Sequence, residues 1–310
     1  MPDRRGRAGA RPLHSQQSIF TVLGSLKHGG MRMKKQTMVM IAAVGSAAAA
    51  ASIPYFHRQN NDLRASHYVF RSPKVSEALN GFRIVQVSDL HNREFGKGNS
   101  HLLALIESQR PDLIAITGDL IDSYHPNPAK ALSFARQVSK LAPCYYVTGN
   151  HEHRMSREKL DAFLQSLTEA GIRVLRNEAV ELGLGRGFRL IGVDCQQGRT
   201  DTLTRLMKRR DPEELNVLLS HKPHYAENYQ KAGVDLVLTG HAHGGQWRFP
   251  LVGAVFAPGQ GMLPKYTDGM YRLGNTVMCV SRGLGNSSFP LRIENKPQLI
   301  TLTLRRGEPE

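Results

Sequence analysis

The chain has 310 residues, enough for one sizeable core or two small ones, and its apolar and charged fractions are ordinary for a globular protein. Its formal net charge of +15 suits anionic partners, but eight basic residues against the single acid Asp3 precede residue 37, so the remainder is only moderately basic. Three cysteines (Cys144, Cys195 and Cys279) with no C-x-x-C pair exclude a zinc knuckle or a thioredoxin-type site.

Residues 1–36 are rich in Arg, Gly, Ser and Gln without periodicity, and they predict a disordered basic N-terminus. Residues 37–53 (TMVMIAAVGSAAAAASI) hold no charge and follow Arg32, Lys34 and Lys35. A basic flank, an apolar run and A-x-A sites predict a signal peptide or a membrane anchor. As a helix the run would be about 26 Å long, short of a hydrocarbon core of about 30 Å. Positive charge stays on the cytoplasmic side, so the expectation is a domain outside the cytoplasm, exported or attached to the membrane through this segment.

From residue 63 to about 306 the chain reads as one domain of alternating strands and helices. Asn99 or Ser100 can cap a helix carrying Leu102, Leu103, Leu105 and Ile106. Pro128 opens a second, with Ala131, Leu132, Phe134, Ala135 and Val138 on its buried side. A third runs from Arg157 to Ala170 with Leu160, Phe163, Leu164 and Leu167 in register, and Gly171 stops it. Phe188–Val193 and Val277–Val280 read as strands. Leu299–Leu304 alternates apolar residues with Thr, as a strand with one wet face does. The pattern predicts an α/β fold of two mixed β-sheets packed as a sandwich and flanked by α-helices.

Five apolar strands end on metal-type ligands. Phe82–Ser88 runs into Asp89-Leu90-His91, and Leu113–Thr117 into Gly118-Asp119-Leu120-Ile121-Asp122. Cys144–Thr148 runs into Gly149-Asn150-His151-Glu152, Val217–Ser220 into His221, and Leu236–Thr239 into Gly240-His241-Ala242-His243. Ligands of an open α/β sheet bind at the carboxyl ends of strands. In an extended segment, residues i and i+2 face the same way, so Asp89 with His91, and His241 with His243, can each hold one ion. Asp119 can bridge two ions with its two oxygens, Asn150 offers an amide oxygen, and His221 an imidazole nitrogen. Carboxylate, imidazole and amide without thiolate favour two divalent ions of Mn, Fe or Zn. Such a pair lowers the pKa of a bound water and neutralises phosphoryl oxygens. His151 can protonate the leaving group as general acid, and Asp122 can orient its ring. His101 and His125 read as surface residues, and His153 and His224 as surface residues or supports of the site. Trp247, Tyr266 and Tyr271 read as core or as a substrate wall.

The five blocks D-x-H, G-D-x-x-D, G-N-H-E, a lone His after a strand and G-H-x-H stand in the order found in the calcineurin-like metallophosphoesterases, which this chain resembles from about Phe82 to Gln246. Gly240–Gln246, Ala257–Gly261 and Ser281–Gly285 sharpen the resemblance to a bacterial exported or membrane-anchored, phosphodiesterase-type branch. The resemblance implies one metal on Asp89, His91, Asp119 and His243, and a second on Asp119, Asn150, His221 and His241. It also implies His151 as proton donor with Asp122 as its partner. The expected activity is phosphodiester hydrolysis by metal-activated hydroxide. A phosphomonoesterase, or a catalytically silent regulatory member of the same fold, is the alternative. The expected partner is a phosphate-ester substrate, with a phospholipid or a nucleotide-sugar lipid among the candidates. No dense Lys/Arg stripe interrupted by aromatics is present, so nucleic acid is not expected.

Overall fold

The computed structural model describes residues 35–183, 188–195, 200–208, 210–286 and 289–308. The chain divides into a unit ending at Ile53 and a second from Pro54 to Glu310. Helix α1 (Lys35–Asn61) starts in the first, and Pro54 lies inside it at the division. The expected disorder of residues 1–36 lies outside the described residues, save that α1 already begins at Lys35. The uncharged run 37–53 forms the larger part of α1. No helix among the described residues is long and apolar enough to cross a membrane, and alanine, which dominates this run, contributes little apolarity.

In the second unit the elements follow as β1 (Arg64–Ser72), β2 (Arg83–Val87), α2 (Ser100–Ser108), β3 (Leu113–Ile116), α3 (Pro128–Val138), β4 (Cys144–Tyr146), α4 (Arg157–Glu169), β5 (Ile172–Val174), β6 (Glu178–Leu182) and β7 (Phe188–Gly192). Then come α5 (Thr200–Met207), β8 (Leu215–Leu219), α6 (Ala226–Ala232), β9 (Leu236–Thr239) and two short hairpins, β10 (Arg248–Phe249) with β11 (Gly253–Ala254) and β12 (Phe256–Ala257) with β13 (Gly261–Met262). β14 (Gly269–Leu273), β15 (Thr276–Val280) and β16 (Gln298–Arg306) complete it.

Two six-stranded mixed sheets result, ordered β1-β16-β2-β3-β4-β5 and β14-β15-β9-β8-β7-β6. β2 to β5 are parallel to one another, as are β7, β8, β9 and β15. Strand alternation sorts the core into three layers. Ile84, Leu113, Val217, Leu219, Leu236, Leu238, Ile300 and Leu302 fill the space between the sheets. Val85, Ile114 and Ile116 face the other way, against Leu102 and Ile106 of α2, Phe134 of α3 and Phe163 of α4. Leu218, Val237 and Met278 meet Leu203 of α5 and Tyr229 of α6. The sandwich flanked by helices is thus present as expected.

Local chemistry explains the helix ends. Asn127 Oδ1 accepts from Lys130 N (3.2 Å) ahead of Pro128, and Ser156 Oγ from Lys159 N (3.4 Å). Gly171 takes φ +87° after α4. Asn99 sits at the cap of α2 at φ 65°, but its Oδ1 accepts from Phe95 N instead of capping (3.0 Å). One expectation fails. β16 has no wet face over its first half, because it lies between β1 and β2 with both faces covered; Thr301 is buried and its hydroxyl donates to Gln109 Oε1 (3.1 Å). The three cysteines are free and buried.

Candidate metal centre

The parallel strands of both sheets release their loops on one side, and the seven sequence-predicted ligands meet there. All except Asn150 are buried. Asp89, His91 and His243 offer ligand atoms within 4.8 Å of one another, and so do Asp119, His221 and His241. His91 Nε2 and His243 Nε2 stand 3.1 Å apart, and His243 Nε2 is 3.6 Å from Asp89 Oδ1. His221 Nε2 lies 3.1 Å from both Asp119 Oδ2 and Asn150 Oδ1.

Two details differ from the sequence reading. Asp89, His91, Asp119, His241 and His243 all take left-handed φ values, between 47° and 65°. The i, i+2 pairs therefore converge through strained turns and not through extended strand. Such a concentration of left-handed non-glycine residues is what a functional site stores. Asp119 does not offer both oxygens. Its Oδ1 accepts from His151 N (2.8 Å), while Oδ2 faces His221 and, at 3.7 Å, His91. A single oxygen is placed between the two ligand groups.

Close packing fixes these loops. A Cβ on Gly149 would fall 2.0 Å from Asp119 Oδ1, and one on Gly240 would fall 1.9 Å from Ser88 Oγ, so neither position has room for a side chain. Ser88 Oγ donates to Asp89 Oδ2 (2.5 Å), and His241 N to Asp89 Oδ1 (3.0 Å). Gln86 Nε2 ties the sheets together beside the site, donating to Thr117 Oγ1 and Thr239 O (both 2.9 Å).

The residues fit a cation pair. His221 Nδ1 meets the carbonyl of Thr117 (2.7 Å), which only accepts, so Nδ1 carries a proton. That leaves Nε2 facing two oxygens that also only accept, at a separation suited to a shared ion with bonds of about 2.0–2.2 Å. Without a metal charge, a proton takes that place. Burial disfavours the imidazolium, but Asp119 and Asp89 outweigh it and raise His221 to about 9. Burial would likewise raise Asp119, but the facing His221 and His91 hold it well below the usual carboxylate range. Burial pushes Asp89 up to about 6 and His91 down to about 4, and holds His241 and His243 well below the ordinary imidazole range.

The His151 ring centroid is 4.5 Å from that of His91. Its Nδ1 accepts from Ser123 N (3.0 Å), with Ser123 Oγ at 2.9 Å, so a neutral His151 carries its proton on Nε2. Asp122 Oδ1 lies 3.4 Å from Nδ1, farther than either Ser123 atom, and Asp122 also accepts from Tyr124 N (3.0 Å) and faces His125 Nδ1 (3.2 Å). His101 and His125 are exposed. His153 faces Asp194 and Thr148 Oγ1, and the His224 ring lies 5.7 Å from that of His241, so His224 borders the site. Tyr266 and Tyr271 pack on the third core layer.

Three supports carried no sequence reading. Glu152 is buried, and its carboxylate accepts from Asp119 N (3.0 Å), Gly149 N (2.8 Å) and Ile121 N (3.2 Å), locking two ligand loops together. Burial, with the Asp119 charge behind it, pushes Glu152 up to about 7. Ser123 is the second. Arg292 is the third, fully buried and donating to the carbonyls of Arg282, Gly285 and Asn295 and to Asn286 Oδ1. It holds the Arg282–Asn286 loop, whose Gly285 N donates to Asp89 O (2.6 Å).

The family model for calcineurin-like phosphoesterases matches residues 82–245. The uncharacterized metallophosphoesterase YkuE of Bacillus subtilis is 30% identical over 275 residues, spanning 85% of this chain and 93% of its own. Phosphodiesterase YaeI of Escherichia coli is 32% identical over 231 residues, spanning 72% of this chain and 82% of its own. Among solved structures, a dimetal phosphatase from Danio rerio aligns with a TM-score of 0.42 and 14% identity over 66% of this chain and 88% of its own.

Proposed function

The chain belongs to the calcineurin-like phosphoesterase family, and from that premise we propose that it hydrolyses phosphodiesters at a binuclear centre with His151 as general acid. The observation that carries this is the meeting of His221 Nε2, Asp119 Oδ2 and Asn150 Oδ1 at 3.1 Å, beside the His91–His243 pair. Two divalent ions held by the seven ligands would supply positive charge toward phosphoryl oxygens and a water acidic enough to attack near neutral pH. The N and O donor set suits Mn, Fe or Zn. Asp119 belongs to both groups, and Glu152 fixes its backbone. Ser123 N–H on Nδ1 leaves the proton of His151 on Nε2, the atom that would protonate the leaving oxygen, and Asp122 lies 3.4 Å from the ring, where it can orient it. The preference for a diester over a monoester draws on the name of the Escherichia coli relative.

Metal analysis after supply of Mn or Zn should find nearly two ions per chain, with turnover of bis-p-nitrophenyl phosphate. Asp119→Asn should lose the most activity among the ligand variants. A stoichiometry that stays at zero would sink the reading.

We also propose that the domain works outside the cytoplasm on a phosphoester such as a phospholipid or nucleotide-sugar lipid. Arg32, Lys34 and Lys35 before an uncharged run support this orientation. An alkaline phosphatase fusion after Glu310 should be active in cells. A dark phosphatase fusion beside a bright fluorescent one would reverse the assignment.

A further inference from the structure

From Trp247 to Thr267 the chain holds no acidic residue. This stretch forms the two short hairpins, β10–β11 and β12–β13, which are joined by a hydrogen bond from Leu263 N to Val255 O (2.9 Å). Their tips are apolar and open to solvent. Leu251 is fully exposed, and Met262, Leu263, Val252 and Phe249 are exposed as well. Leu251 and Leu263 hold φ values of 67° and 50°, a conformation that turns ordinarily give to Gly, Asn or Asp. Contacts within the fold do not account for leucine at either place. Phe289 and Leu291 extend the patch, with Phe289 5.3 Å from the Trp247 ring. Arg248 is paired with Asp268, and Lys265 is left exposed beside Leu263.

The hairpins lean on the metal loops. Ala254 of β11 lies so close to Gly245, two residues past His243, that a Cβ on Gly245 would come within 2.2 Å of it. Gly259 presses on the His224 ring, the neighbour of His241. The loop that carries Phe289 and Leu291 also receives Tyr55 Oη on Glu294 Oε1 (2.8 Å) and Asn60 Nδ2 on Pro290 O (3.0 Å). Tyr55 and Asn60 lie within the eight residues that follow the uncharged 37–53 run.

We propose that the hairpin tips dock into the surface of an anionic lipid bilayer, so that the metal centre works on a phosphoester presented at that surface. Exposed leucines at turn tips suit the boundary between headgroups and acyl chains, and an acid-free segment with Lys265 exposed beside one tip suits anionic headgroups. The substrate half of this statement rests on the hydrolase reading above; the docking half does not.

Trp247 is the single tryptophan of the chain and stands at the base of the patch, so it reports docking without a label. Full-length protein is mixed with phosphatidylglycerol vesicles whose acyl chains are brominated. Trp247 fluorescence should be quenched, and phosphatidylcholine vesicles should quench it far less. The L251D/L263D variant, in which Asp tolerates the left-handed turn, should need at least about tenfold more lipid. It should also hydrolyse a vesicle-borne phosphodiester at least about tenfold more slowly while keeping its rate on soluble bis-p-nitrophenyl phosphate. Sedimentation with vesicles while Trp247 stays unquenched would mean attachment through residues 37–53 alone, and would overturn the docking. Lipid-free dimerisation that the double variant abolishes would overturn it in favour of a second copy. Quenching without hydrolysis of any ester would support the docking and sink the hydrolase reading.

Discussion

At the scale of single residues, the site is a contest between burial and charge. With no metal charge present, burial keeps His91, His241 and His243 neutral at pH 7.5, and Asp89, at about 6, is already ionised there. His221, raised to about 9, is the ligand that still holds an extra proton. A metal on Nε2 must expel it. Calorimetric titration of the apo-protein with Zn at pH 7.5, in buffers of different ionisation enthalpy, should report at least one proton released per chain, His221 giving one and metal-bound water adding to it. Above pH 9 the His221 share of the release should fade, because that ring is then neutral beforehand. Heat that does not depend on the buffer at pH 7.5 would contradict the arrangement around Asp119. His151 makes a separate prediction. His151→Asn should keep the metals and slow turnover by about 10²–10⁴-fold. The loss should shrink for p-nitrophenyl esters, whose leaving group needs little protonation. Equal losses for good and poor leaving groups would remove His151 from the role of acid.

At the scale of elements, the five strands that lead to the candidate ligands are legible because each is a short, almost wholly buried run that ends within a few residues at a glycine or at the ligand itself. β3 and β9 show it plainly, as Leu113–Ile116 before Gly118-Asp119 and Leu236–Thr239 before Gly240-His241. β6 and β14 carry no such signal. Glu178–Leu182 and Gly269–Leu273 are only half-buried edge strands and mix charged with apolar residues, which blurs the period-two signal. The supports were invisible for another reason. Arg292 acts on carbonyls brought to it by a loop, and an arginine in Phe289-Pro290-Leu291-Arg292 reads like any surface cation. Glu152 stood inside a recognised motif, but nothing in its spacing reveals that it binds three backbone N–H groups. Arg292 is therefore the informative element-scale mutation. Arg292→Met should leave several buried carbonyls without donors and cost about 3 kcal/mol or more in urea unfolding. Activity should fall with it, since the Arg282–Asn286 loop would no longer brace Asp89. A loss under about 1 kcal/mol would show that water replaces the guanidinium there.

At the scale of the whole molecule, the ligands divide between the sheets. Asp89, His91, Asp119 and Asn150 follow β2, β3 and β4 of the first, and His221, His241 and His243 follow β8 and β9 of the second. Hydrogen bonds from Gln86 to Thr239, from His221 to Thr117 and from His241 to Asp89 also cross between the sheets, and bound metals would add a clamp across the sandwich. The clamp would also offset the backbone strain of the five candidate ligands with left-handed φ. A ligand that binds only the folded state stabilises it by about 4 kcal/mol at a thousand times its Kd. For a body of this size each kcal/mol moves the melting temperature by about 2–4 °C. Chelation should therefore lower Tm by about 8–16 °C, and addition of Mn or Zn should restore it. The same experiment on Asp119→Asn, proposed above as a ligand of both ions, should show a much smaller chelator effect. A Tm that is indifferent to chelation in protein shown to contain metal would mean that the sheets hold the loops in place by packing alone, with Gly149, Gly240 and Glu152 sufficient for the geometry.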